Sequence, residues 1–140
     1  MTLTLCGFAQ SPATTSAADD EAIKAAALNY VEGWYEGSAE RMTKALHPDL
    51  AKRIARDNKE TGKTDVRHMT AAQLIEATGK GSGKNTPKDK QVKDVKILDR
   101  FENMAVVRAD MAGWVDYMQL AKVDGEWKII NVLWQMRPRQ

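Results

Sequence analysis

Apolar positions recur at three- to four-residue spacing over the first third of the chain and at two-residue spacing over the last third. In residues 19–36, Ile23, Ala27, Tyr30 (with Val31) and Trp34 fall on one stripe, the signature of an amphipathic helix. Asp19 and Asp20 supply an N-cap and favourable first-turn charge, and Gly37 ends the helix. Ser38 caps a second, short helix that turns Met42, Ala45 and Leu46 inward. His47-Pro48 stops it, because the residue before proline is biased away from the α conformation. Thr70, with Gln73 three residues on, completes a capping box for a third helix. Leu74, Ile75 and Ala77 form its buried side, and Gly79 ends it. Residues 79–90 carry no periodicity and read as a mobile Gly/Lys/Ser/Pro loop.

The strand pattern begins with residues 50–56 and 65–69, a hairpin around 58–62. Segments 92–99, 103–111, 114–123 and 127–134 follow with short connections, which predicts an antiparallel meander. Asp124-Gly125 between two apolar runs is a type I′ turn signal, since both central residues need positive φ. From that turn, regular pairing sets Val123 against Glu126, Leu120 against Ile129, Met118 against Asn131 and Asp116 against Leu133. One face then holds Trp114, Asp116, Met118, Leu120, Trp127, Ile129, Asn131 and Leu133, with Asp116 and Asn131 diagonally adjacent on an apolar surface. That surface is the candidate pocket, with Asp116, Asn131, Trp34, Trp114 and Met118 as ligand contacts. If the opposite face is the concave one, Tyr117, Gln119 and Trp134 line the pocket instead. Both faces of the last two strands are apolar, which predicts helices on one and a second copy of the chain over part of the other. Helices first and antiparallel strands last make an α+β domain over residues 20–136, a curved sheet packed by three N-terminal helices.

Composition narrows the function classes. With 140 residues the chain supports one core, and 29% charged with 43% hydrophobic residues is ordinary for a soluble globular domain. A net charge of +2 is too small to argue for nucleic acid, and the six lysines of residues 80–96 have no aromatic side chains among them for stacking on bases. Residues 1–8 are short and apolar, with Gly7 and Ala9 at the −3 and −1 positions of a signal-peptidase site. The segment lacks a basic start and a run of about 7–15 apolar residues, so it reads as the tail of a signal. Residues 1–19 are expected to be a disordered leader or a signal remnant, and the protein periplasmic or secreted, with a cytoplasmic location as the alternative. No other segment reaches the length of a membrane span. Cys6 is the sole cysteine, and His47 and His68 have no metal-ligand spacing, so neither a metal nor another cofactor is expected. The run GKGSGKNT fails as a phosphate-binding loop: Thr78 stands at the first-glycine position, Asn85 replaces Ser/Thr, and Pro87 spoils the following helix.

YVEGWYEGSAERMTKALHPDL (30–50) resembles the first two helices of the nuclear-transport-factor-2-like superfamily, which includes SnoaL-like cyclases and ketosteroid isomerases. WVDYMQLAKVDGEWKIINVLW (114–134) resembles a narrower bacterial branch labelled putative lumazine-binding. The resemblance implies a cone-shaped α+β barrel enclosing a pocket, often dimeric, and a protein that binds a small apolar or aromatic molecule. It also implies a second reading, a cofactor-independent isomerase, cyclase or dehydratase. There His47 would stand where isomerase relatives place a carboxylate before proline and would act as base, with Tyr30 or Asp116 as oxyanion donor. The structural alternatives are a His47 that caps its helix and a Tyr30 with one satisfied hydroxyl. A buried Asp116 needs a partner; Asn131 and Arg108 are the candidates.

Overall fold

The computed structural model describes residues 12–139, with side chains from Ser16 onward; of the leader expected over residues 1–19, residues 1–11 lie outside the described residues, whereas 12–19 are helical. Helices α1 (Pro12–Glu36) and α2 (Ala39–Ala45) precede the hairpin β1 (Leu46–Asn58) and β2 (Lys63–Thr70). Helix α3 (Ala71–Gly79) and a single 3₁₀ turn lead into β3 (Asp94–Phe101), β4 (Met104–Asp110), β5 (Trp114–Val123) and β6 (Glu126–Met136). The six strands form one curved, unclosed sheet in the order β2-β1-β6-β5-β4-β3. All neighbours are antiparallel except β1 and β6, which run parallel. The expected α+β cone is therefore present, with helices and sheet enclosing one core built around Ile23, Val31, Met42, Val107, Met118 and Ile129. None of the described helices is long and apolar enough to cross a membrane.

Local signals explain most boundaries. The Ser38 side chain accepts from the Arg41 amide, and Thr70 and Gln73 form the full reciprocal box. Asp124 and Gly125 have φ of 49° and 81°, as a type I′ turn requires, and Val123 pairs with Glu126. Three features depart from the sequence reading. First, α1 starts at Pro12, so Asp19 is not its cap. The Asp19 carboxylate instead accepts from Trp127 Nε1 and Lys122 Nζ, both at 2.9 Å, tying the helix to the last hairpin. Second, the loop after α3 is anchored at one point rather than free throughout. Gly83 is buried, and a Cβ there would collide with the Trp34 carbonyl oxygen and indole ring.

The third departure decides the pocket. Leu120 pairs with Ile129, but Gln119 pairs with Asn131, so Ile130 is an extra residue in β6. A bulge of this kind reverses the facing of every residue beyond it. Asn131 and Leu133 turn to the outer face, while Val132 and Trp134 turn inward. Asn131 is therefore no neighbour of Asp116; its side-chain amide donates to Gln119 Oε1 at 3.1 Å on the outer surface. The alternative facing fails in the same way, since Tyr117 and Gln119 are exposed and only Trp134 lines the inner cavity.

A charge latch joins the ends of β4 and β6. Asp110 accepts from Arg108 Nε at 2.6 Å and from Arg137 Nη2 at 2.7 Å, holding the chain after β6 against β4. The Arg108 guanidinium, with help from Arg137, lowers the Asp110 carboxyl from 3.8 to about 2. A folded value below the unfolded one means the latch contributes fully above pH ~4 and is lost as pH falls toward ~2. The melting temperature of the wild type should therefore fall more steeply between pH 4 and 2 than that of Asp110→Asn, as followed by circular dichroism.

Candidate functional site

Strand β1 sets Leu50, Lys52 and Ile54 on its inward face at two-residue spacing, so a lysine stands between two core positions. The Lys52 side chain is 7% exposed and Asp116, reaching it from β5, is fully buried. Lys52 Nζ lies 3.0 Å from Asp116 Oδ1 and also donates to Tyr30 Oη from α1. The Tyr30 hydroxyl donates to the same Oδ1 at 3.4 Å, and Trp114 Nε1 donates to Oδ2 at 3.0 Å. Two rings flank the ammonium, Trp134 at 4.9 Å and Tyr30 at 5.1 Å from their centroids. Burial lowers Lys52 from 10.5 despite the opposing pull of Asp116. Burial, reinforced by the Asp116 charge, pushes the Tyr30 phenol well above 10.0, so it is a neutral hydroxyl at any physiological pH.

Above this network lies a cavity of about 150 Å³. Helix α1 contributes Tyr30 and Trp34, β1 contributes Lys52, β2 Met69 and α3 Leu74. Trp114, Trp134 and Met136 complete the wall. Trp114 meets Trp34 edge-on at 5.9 Å and Trp134 at 6.0 Å, giving a continuous aromatic side. Gly83 packs directly against the Trp34 member of this wall, with no room for a Cβ between them.

Of the residues singled out from sequence, Tyr30, Trp34, Trp114 and Asp116 come together here. Met118 is fully buried in the core but does not line the cavity, and Asn131 is on the other side of the sheet. His47 also stands apart from the cavity, its Nδ1 accepting from the Asp49 amide at 3.1 Å. Arg108 serves Asp110, so the cation that answers Asp116 is Lys52. Lys52 was missed, although the alternation of Leu50, Lys52 and Ile54 carries its signal.

The chain matches the family described as "Putative lumazine-binding" over residues 18–135. It belongs to that family. No curated protein matches it. Among solved structures, it resembles an NTF2-like protein of unknown function from Shewanella baltica, with 17% identity and a TM-score of 0.62. That match covers 94% of this chain and 100% of the other. An NTF2-like protein of unknown function from Silicibacter pomeroyi aligns with 14% identity, 87% and 98% coverage and a TM-score of 0.64. One from Methylobacillus flagellatus gives 21% identity, 86% and 94% coverage and 0.61. At these identities the neighbours establish the fold alone.

Removing one member of a buried ion pair leaves an uncompensated charge, at a cost of about 3–5 kcal/mol. Asp116→Asn should lose stability of that order in urea unfolding. Adding Lys52→Met to it removes the orphaned charge and should recover most of the loss. Gly83→Ala, in contrast, acts only by overpacking, and about 1–3 kcal/mol of destabilisation is expected from the same measurement.

Proposed function

We propose that this protein binds a small, flat, neutral heteroaromatic molecule carrying a hydrogen-bond acceptor, with its ring against the tryptophan wall and its acceptor on Lys52. The observation that carries the reading is the donor count at Lys52. An ammonium has three N–H donors, and among the described residues only Tyr30 Oη and Asp116 Oδ1 take one each. A third remains for an acceptor in the cavity that Lys52 lines. Because Asp116 balances the charge, a neutral carbonyl or ring nitrogen suits the site better than an anion.

Size supports a compact ligand. A volume of about 150 Å³ is half or less of the ~300–1,000 Å³ usual for drug-sized ligands, and similar to cavities that admit benzene. One ring fits inside, and a fused second ring would extend past Met136, which is 45% exposed. Pteridinediones such as lumazine combine this shape with carbonyl acceptors, in keeping with the family's name. The isomerase-like reading lacks its base in this cavity, since His47 is elsewhere.

Calorimetric titration with lumazine tests the proposal. Saturable binding with quenching of tryptophan fluorescence is expected. The charge-balanced Lys52→Met, Asp116→Asn variant should bind roughly 10–100-fold more weakly, the value of a hydrogen bond to a charged group. Unchanged affinity in that variant would move the site away from Lys52.

A further inference from the structure

We infer that Lys52 is a carbonyl-trapping amine, able to form an imine with an aldehyde or ketone of one-ring size held in the cavity. The inference rests on the binding reading in needing the same cavity, but it assigns Lys52 a covalent role that binding alone does not require. Lysines become nucleophilic when desolvated in apolar pockets. Lys52 meets that condition: its side chain is 7% exposed, two aromatic rings flank it, and it still lines an open cavity.

The groups around Lys52 supply each proton movement the step needs. The Lys52 ammonium passes one proton to the Asp116 carboxylate 3.0 Å away. The freed Nζ lone pair attacks the carbonyl carbon, forming the C–N bond while the C=O π pair moves to oxygen. That oxygen takes the Tyr30 hydroxyl proton, and Tyr30 Oη, already hydrogen-bonded to Nζ, recovers one from the nitrogen. Tyr30 also contacts Asp116 Oδ1 at 3.4 Å and can relay the Asp116 proton to the new hydroxyl. The C–O bond then breaks, water leaves, and the nitrogen lone pair forms the C=N bond. The products are one protonated imine on Lys52, one water and the original Asp116 carboxylate. The ion pair thus persists across the step, so no charge is left unpaired in the core at its end. Trp114 Nε1 at 3.0 Å from Oδ2 keeps the carboxylate in place throughout.

The protein is incubated at pH 7 with benzaldehyde and sodium cyanoborohydride, which reduces imines to stable benzylamines, and the labelled lysines are mapped by mass spectrometry. Lys52 should be labelled about ten-fold faster than exposed lysines such as Lys44 and Lys80, whose side chains are 63% and 71% exposed, as expected of an activated amine. Tyr30→Phe, which keeps the ring but removes the relay, should slow labelling of Lys52 about 10²-fold while leaving the exposed lysines unchanged. Labelling spread over exposed lysines with Lys52 untouched overturns the inference, and does so in the wild type even if Tyr30→Phe fails to fold. If lumazine binds while Lys52 stays unlabelled, the inference falls and the binding reading stands. If Lys52 is labelled without lumazine binding, the inference holds and the ligand class must change.

Discussion

The structure depends on a charge pair in a place where charge is costly. Removing two ions from water carries a penalty of several kcal/mol each, offset only by close pairing and by hydrogen bonds to the remaining lone pairs. Lys52 and Asp116 meet that requirement by recruiting Tyr30 and Trp114, so the pair binds α1, β1 and β5 to one point. Among the described residues, every buried side-chain nitrogen and oxygen has a partner. The same constraint places the cavity, because Lys52 and Tyr30 of the network help to line it beside the tryptophans.

The bulge at Ile130 makes that arrangement reachable. Without it, Trp134 would face outward and Asn131 inward, and the ammonium would lose one of its two flanking rings. With it, β6 keeps the regular register near the turn and adopts the opposite facing beyond Ile130. A local irregularity at mid-strand therefore converts an apolar hairpin into one wall of a pocket. On the outer face it leaves Tyr117 and Leu133 46% and 57% exposed, with the Asn131–Gln119 hydrogen bond beside them.

Much of this was legible in the sequence. The capping box at Thr70, the Asp124-Gly125 turn and the helical stripe of α1 each have a local physical cause, and each produced the expected element. Tyr30, Trp34, Trp114 and Asp116 were identifiable as inward-facing because their own strand or helix periodicity is regular. The errors arose where the pattern carries no information. In Ile129-Ile130-Asn131-Val132 both faces are apolar enough that either register satisfies alternation, so a one-residue bulge leaves no trace. Asp19 has the residue type of a cap and so predicts a later start for α1, whereas its carboxylate serves Trp127 across the fold. Lys52 is hard to read for a different reason: a lysine in a strand is usually solvated, and only its place between Leu50 and Ile54 argues otherwise. Functional polar groups in cores often look like such local inconsistencies.

The fold itself is compatible with many chemistries, so the functional account stands on this one cavity rather than on its neighbours. Electron density at the cavity, from crystals of protein purified from its own host, would test that account most directly. The account predicts a flat density edge-bounded by Trp34, Trp114 and Trp134, with a polar atom within hydrogen-bonding distance of Lys52 Nζ. A cavity closed by Met69, Leu74 and Met136, with ligand density instead on the outer face beside Gln119 and Asn131, would contradict it.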